Sequence, residues 1–197
     1  MKRNVLLAYV IIFGVILSSC LLGINGNGNI VSQDRNVKDF IGVSLRGVGD
    51  VNVNHAEDFK VEVITDSNIQ SLITIKVNGG NLHIDGESTA GGFNPTKLII
   101  NIYMPELVLL SLTGAGNINV LSGKTSNLQI NLTGAGDINA QNYEVEDAAV
   151  NLSGAGDIKL WATNSLSGKL SGAGNILYKG NPSVNVNRTG VGKISRL

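Results

Sequence analysis

The residues of this chain that could do chemistry are few, and most recur at fixed intervals. Asp137 and Asp157 close two copies of one phrase, "NLTGAGDINA" (131–140) and "NLSGAGDIKL" (151–160). "SLTGAGNINV" (111–120) and "KLSGAGNILY" (169–178) flank them, with Asn117 and Asn175 at the same position. If the copies stack, the two carboxylates lie ~5 Å apart. They could then bind Ca²⁺ or share a proton as an acid/base pair. The alternative reading makes both solvated turn residues, their repulsion diluted by the neighbouring Asn117 and Asn175. Trp161, Tyr143 and Tyr178 fall in the repeat region, and aromatics along one outer side can stack on sugar rings. His55 and His83 have no second ligand at metal spacing, and Ser153 and Ser171 have no histidine nearby. A phosphate-cradling loop would need a Lys and a following helix, which the Gly-Ala-Gly phrase lacks. No metal or cofactor is expected.

Cys20 is the only cysteine, and it closes "MKRNVLLAYVIIFGVILSSC": Lys2 and Arg3, an apolar run from Val5 to Leu17, then Ser18-Ser19-Cys20. That run is too short for the ~20 residues of a membrane-spanning helix, and the parts are those of a secretory signal. The Leu-Ser-Ser-Cys ending resembles the lipobox of bacterial lipoproteins. That resemblance implies a signal peptide over 1–19, a thiol alkylated with diacylglycerol at Cys20, an acylated (palmitate-type) new amino terminus and attachment to the membrane. Leu21 in place of a retaining Asp favours the outer membrane. Lys plus Arg and Asp plus Glu number 15 each. Removing residues 1–19 takes away two cations, so the overall balance suggests no surface built to grip anionic lipid or nucleic acid.

The elements that must hold these residues are strands. Phe59, Val61 and Val63 alternate on one face; Ile73, Ile75 and Val77 do the same before a Gly79-Gly80 turn; Leu98, Ile100, Ile102 and Met104 follow. No segment after residue 20 carries a helical period with caps. Gly114, Gly134, Gly154 and Gly172 recur at steps of 20, 20 and 18, each followed two residues on by Gly116, Gly136, Gly156 and Gly174. A period near 20 suits one coil of a stacked β architecture, each coil ~4.8 Å above the last. The glycines are then corners, needed where a β-carbon would clash or φ is positive. Degenerate copies "RTGVGKI" (188–194) and "LRGVGDV" (45–51) lie outside the run, the latter more than three steps upstream. The expected organisation is a lipidated Cys and flexible Gly/Asn tether over 20–36, then a single domain over 37–197. Its fold class is all-β: a right-handed parallel β-helix-like solenoid of 18–20-residue coils with a less regular N-terminal part.

Three segments in order carry a resemblance. "GNGNIVSQDRNVKDFIGVSLRGVGDVNV" (26–53) has a Gly-Asn start, an Arg-x-Val-x-x-Phe segment and a Gly-x-Gly corner. "FKVEVITDSNIQSLITIKVNGGNLHI" (59–84) supplies middle strands. "INIYMPELVLLSLTGAGNINV" (100–120) has a Pro-Glu-Leu entry to the first full corner. Together they resemble the bacterial head GIN domain family, which bears the label of autotransporter adhesin. The resemblance implies a β-helix-like fold in a secreted or lipid-anchored envelope protein, and it carries over no catalytic residue. The expected function is therefore a lipid-anchored, non-enzymatic, adhesin-like module of the cell envelope that meets a glycan or an envelope or host protein. The competing readings are a polysaccharide lyase or hydrolase on the same fold, and an envelope-stress accessory.

Overall fold

The computed structural model describes residues 23–86 and 92–197. They form an all-β molecule with one 3-10 turn at Gln70–Leu72. Fifteen strands join one large sheet that curls nearly closed into a barrel-like shape, and two further short strands pair beside it.

Sheet formation follows from the alternation. In β12 (Lys124–Leu132) Leu128, Ile130 and Leu132 are buried, with exposed or half-exposed polar residues between them. Long β13 (Ile138–Leu152) and β14 (Ile158–Leu170) each run from one wall of the sheet into the other, so each copy of the phrase begins a new layer. The layers pair in parallel and in register. Leu112 of β10 (Leu109–Leu112) faces Leu132, then come Leu152 and Leu170. On the opposite wall Ile118 of β11 (Ala115–Val120) faces Ile138, Ile158 and then Ile176 of β15 (Ile176–Lys179). These aliphatic columns meet between the walls as one core. Each fully buried side chain contributes ~1.5–3 kcal/mol. The topmost layer is β16 (Ser183–Arg188) with β17 (Ile194–Arg196).

The upstream corner is placed by pairing and not by period. β3 (Gly42–Arg46) pairs with β10, and β4 (Val48–His55) with β11, so Gly49 lies against Gly116 and Asp50 against Asn117. A gap of 67 residues in sequence becomes one layer in space. The intervening chain builds the end of the molecule. β7 (Asn81–Gly86) and β9 (Leu98–Met104) form a layer parallel to β3 and β4. β5 (Lys60–Asp66) adds antiparallel to β9, and β6 (Ile73–Asn78) makes a hairpin with β7. Gly79 and Gly80 turn that hairpin with φ of 57° and 74°, the paired positive φ of a tight two-residue turn.

One expectation changes here. The Gly/Asn stretch is no free tether over its described part. β1 (Ile24–Asn25) pairs with β8 (Phe93–Asn94), and β2 (Ile30–Arg35) pairs with β5, so the domain begins before residue 37. Hydrogen bonds to a distant segment add to this pairing: Gly28 N–H donates to Asp66 Oδ1 (2.7 Å) and Asn27 Nδ2 to Ser67 Oγ (2.9 Å). The corner glycines differ in φ but not in crowding. Only the second of each pair has positive φ in the later copies, at Gly136 (141°), Gly156 (144°) and Gly174 (158°). Close approach requires both, because an added β-carbon would overlap the Gly134 carbonyl oxygen at Gly154 and the Gly136 carbonyl oxygen at Gly156.

The Arg-x-Val-x-x-Phe segment seals the same end. Arg35 donates to the carbonyl and side-chain oxygens of buried Gln70 (3.0 and 2.8 Å), and Gln70 Nε2 donates to the Val31 and Val63 carbonyls. Phe40 is buried against Phe59, ring centroids 4.9 Å apart.

Candidate functional site

The wall formed by β9, β4, β11 and the first halves of β13 and β14 turns two polar columns outward. Ladder register fixes them, since alternate residues of every strand point away from the core.

The first column is Asp50, Asn117, Asp137, Asp157 and Asn175, the Asx of each corner. Each side chain reaches the layer above or below. Asn117 Nδ2 donates to Asp50 Oδ1 (2.8 Å), and Asp137 N–H donates to Asn117 Oδ1 (3.2 Å). Asp157 N–H donates to Asp137 Oδ1 (2.7 Å). Asn175 donates to Asp157 Oδ1 through both N–H and Nδ2, each at 2.8 Å. Lys193 N–H ends the run on Asn175 Oδ1 (3.0 Å). An Asx is thus wanted once per layer because its oxygen satisfies the backbone N–H that the glycine corner leaves over. The stacked carboxylates do come together, one layer apart, but one oxygen of each serves the next corner.

The second column is Glu62, Asn101, Asn52, Asn119, Asn139 and Lys159. Asn101 Nδ2 donates to Glu62 Oε2 (3.0 Å), Asn52 Nδ2 to Asn101 Oδ1 (3.1 Å) and Asn119 Nδ2 to Asn52 Oδ1 (3.4 Å). The Asn101 amide and the Ser32 hydroxyl together hold the Glu62 carboxyl below its usual range, against a small opposing effect of burial. Between the columns lies a shallow concavity of about 370 Å³, lined by Asp50, Asn52, Asn117, Asn119, Asp137, Asn139 and Lys159, with Ile99 below Asp50 in the first column and buried Ile138 at its floor. Such a surface offers amide donors and carbonyl acceptors in repeated order at ~4.8 Å steps. It has the means to hold a hydroxyl-rich or peptide-like extended ligand, and no paired acid and base of differing environment.

The other candidates separate. Cys20 lies outside the described residues. Gly114, Gly134, Gly154 and Gly172 form one column, with Ala115, Ala135, Ala155 and Ala173 bridged in parallel beside them. Trp161 is half-buried, with Lys179 Nζ 3.8 Å from its ring centroid, so one ring face carries a cation. Tyr143 does not join it on an outer side. It is buried, its hydroxyl donating to the Leu107 carbonyl (3.1 Å) and accepting from Leu107 N–H (3.3 Å). Burial pushes its pKa up. An aromatic between polar residues reads as exposed in sequence; the register shift between β13 and β14 that spans it, between Ala140 and Glu144, is what a period-two reading misses. Tyr178 packs against the core. His83 Nδ1 lies 3.1 Å from an Arg46 guanidinium nitrogen, and Arg46 pairs with Asp85 (3.2 Å); His55 is exposed and apart from both. Among the described residues no cluster of three or more His, Cys, Asp or Glu is placed to hold a metal ion, and no helix is long and apolar enough to cross a membrane.

Sequence reasoning missed Asp66. It is fully buried and joins three segments: Oδ1 accepts from Gly28 N–H (2.7 Å) and Oδ2 from Thr96 N–H (2.7 Å). Burial alone would raise its pKa, but the hydrogen bonds from Gly28, Thr96 and Lys97 outweigh it and leave the carboxyl below its usual range. An Asp between Thr and Ser carries no sign of this in sequence.

No curated protein matches the chain. Among solved structures it is similar to a putative adhesin from Bacteroides fragilis NCTC 9343, at 24% identity and TM-score 0.61, with 89% of this chain and 100% of that one covered. It is also similar to a putative lipid binding protein from Parabacteroides distasonis ATCC 8503, at 20% identity and TM-score 0.51 over 88% and 99% of the two chains. A putative adhesin from Parabacteroides merdae ATCC 43184 matches at 18% identity and TM-score 0.51 over 89% and 99%. At these identities the likeness is one of fold. The family described as "Putative auto-transporter adhesin, head GIN domain" matches directly in sequence, over residues 39–120 and 108–182, and the chain belongs to it.

Proposed function

We propose that this protein is a lipid-anchored, non-enzymatic binding module of the bacterial envelope, held through Cys20 at the outer membrane. Its parallel layers form a right-handed β-helix-like solenoid whose Asx/Asn wall meets an extended glycan or an envelope or host protein. Nucleic acid is not its partner. The observation that carries this reading is the repetition of the wall. Layer after layer presents nearly the same amide and carboxylate groups, whereas catalysis needs an acid, a base and substrate grips that differ from one another. Repeated groups suit weak contacts summed along a surface. The family's adhesin label points the same way, towards the cell surface.

The test is a glycan array, with wild type compared to Asn52→Ala/Asn119→Ala/Asn139→Ala. Binding by wild type to a set of extended glycans, lost in the triple variant while the unfolding midpoint holds, supports the wall as the site. Asp137→Asn/Asp157→Asn should keep the fold, since an Asn oxygen can still accept the corner N–H, and should remove any calcium dependence of stability. Cleavage of a polysaccharide by wild type but not by that double variant would overturn the non-enzymatic reading.

A further inference from the structure

The last layer breaks the pattern at several columns at once, and every break adds a cation or an exposed aliphatic. The core column Leu112, Leu132, Leu152, Leu170 ends in Arg188. The opposite core column of Leu160 and Tyr178 ends in Arg196. The corner column of Ala115, Ala135, Ala155 and Ala173 ends in Val191, and the Asx column ends in Lys193. None of these changes is needed to turn the corner, because Gly190 and Gly192 remain.

Arg188 donates to the Gly192 carbonyl (2.8 Å), which holds its guanidinium at the corner that carries Val191 and Lys193. Val191 is 78% exposed, Leu197 58% and Val184 42%, all in this layer. Residues 180–197 contain three cations and no acid. Two layers beneath Lys193, Asp157 Oδ1 is taken by Asn175. A layer that only closed the stack would be polar on its outer side. This one mixes exposed aliphatics with cations, the composition that binds an anionic bilayer surface.

We propose that the end of the stack formed by β16, β17 and the Gly190–Gly192 corner docks on an anionic phospholipid surface, with Val184, Val191 and Leu197 entering the interface and Arg188, Lys193 and Arg196 over the headgroups. The exposed Val184, Val191 and Leu197 set this surface apart from a sulfated-glycan site, which would have no use for aliphatics. The site shares only Lys193 with the end of the Asx column, so it and the surface of Asn52, Asn119 and Asn139 stand or fall independently.

The test uses the full chain with a reporter confined to this end: Val191→Trp in a Trp161→Phe background, with Leu197→Trp in the same background as a second reporter. Attachment through the apolar run at 5–17 would be the same for any vesicle, and only the indole at 191 or 197 reports on this layer. The expected result is a blue shift with vesicles of phosphatidylcholine and phosphatidylglycerol, absent with phosphatidylcholine alone. With the phosphatidylglycerol fraction varied at constant total lipid, adding Arg188→Gln/Lys193→Gln/Arg196→Gln should lower the docked-to-undocked ratio read by the shift roughly a hundredfold, about fivefold per cation. No shift with either vesicle overturns the proposal, as does an equal shift with both. A shift that grows with protein concentration in the absence of lipid also overturns it, and assigns the surface to a second copy of the chain.

Discussion

Gly154→Ala tests the corner at its tightest point. The added methyl would overlap the Gly134 carbonyl oxygen and lie 2.7 Å from both the carbonyl carbon and oxygen of Thr133. Relief requires the two layers to part locally, and two hydrogen bonds hold them there: Gly154 N–H to Leu132 O (3.1 Å) and Ala155 N–H to Gly134 O (3.0 Å). Weakening both costs ~1 kcal/mol each, and forcing one extra carbon into a packed site costs ~1–3 kcal/mol. The sum is about 3–5 kcal/mol. For a chain of this size that lowers Tm by roughly 6–20 °C. Ala155→Val is the control, because Val191 already occupies the same column two corners away and Ala155 is exposed. It should change stability by under ~0.5 kcal/mol. Urea unfolding followed by far-UV circular dichroism reads both. A Gly154→Ala protein within ~0.5 kcal/mol of wild type would refute the close-approach argument.

Removing a whole layer, residues 154–171, joins Ser153 to Gly172 and keeps the columns in register, and it spares Tyr143. It should leave a cooperative unfolding transition at a somewhat lower temperature, whereas removing residues 154–162 should abolish the transition, since the partners above lose their register. Equal transitions for the two deletions would contradict the layered pairing. Asp66 has a folded-state pKa below its unfolded value, so its contribution is present above the ordinary carboxylate range and is lost as pH falls through the folded pKa. Asp66→Asn should therefore lower stability at neutral pH and flatten the acid limb of the stability–pH curve; an unchanged acid limb would count against the role given to this carboxyl. Cys20→Ala should abolish labelling by a radioactive or clickable fatty acid and leave an unprocessed precursor, which is checked by gel mobility of the membrane fraction.

Local spacing determined much of this protein. Alternation at period two marked the strands, because a strand at a buried wall must send every second side chain inward. The repeated Gly-Ala-Gly-Asx-Ile phrase marked the corners, because a backbone passing ~4.8 Å from its neighbour leaves no room for a β-carbon at Gly114, Gly134, Gly154 or Gly172. Tertiary structure alone decided which layers touch. The corner at Gly47–Gly49 stands 67 residues before Gly114, yet its carbonyl at Gly47 accepts the Ala115 N–H (2.7 Å). Period carries no information about an insertion that leaves the stack, builds its end and returns one layer higher. The same holds for Asp66 and Tyr143. Their partners at Gly28, Thr96 and Leu107 lie 38, 30 and 36 residues away, and a contact made by chain return has no signature at the residue itself. The Asx column lies between these cases: its position is written in every copy, but its work, a side-chain oxygen of one layer accepting the backbone N–H of the next, exists only once the layers are stacked.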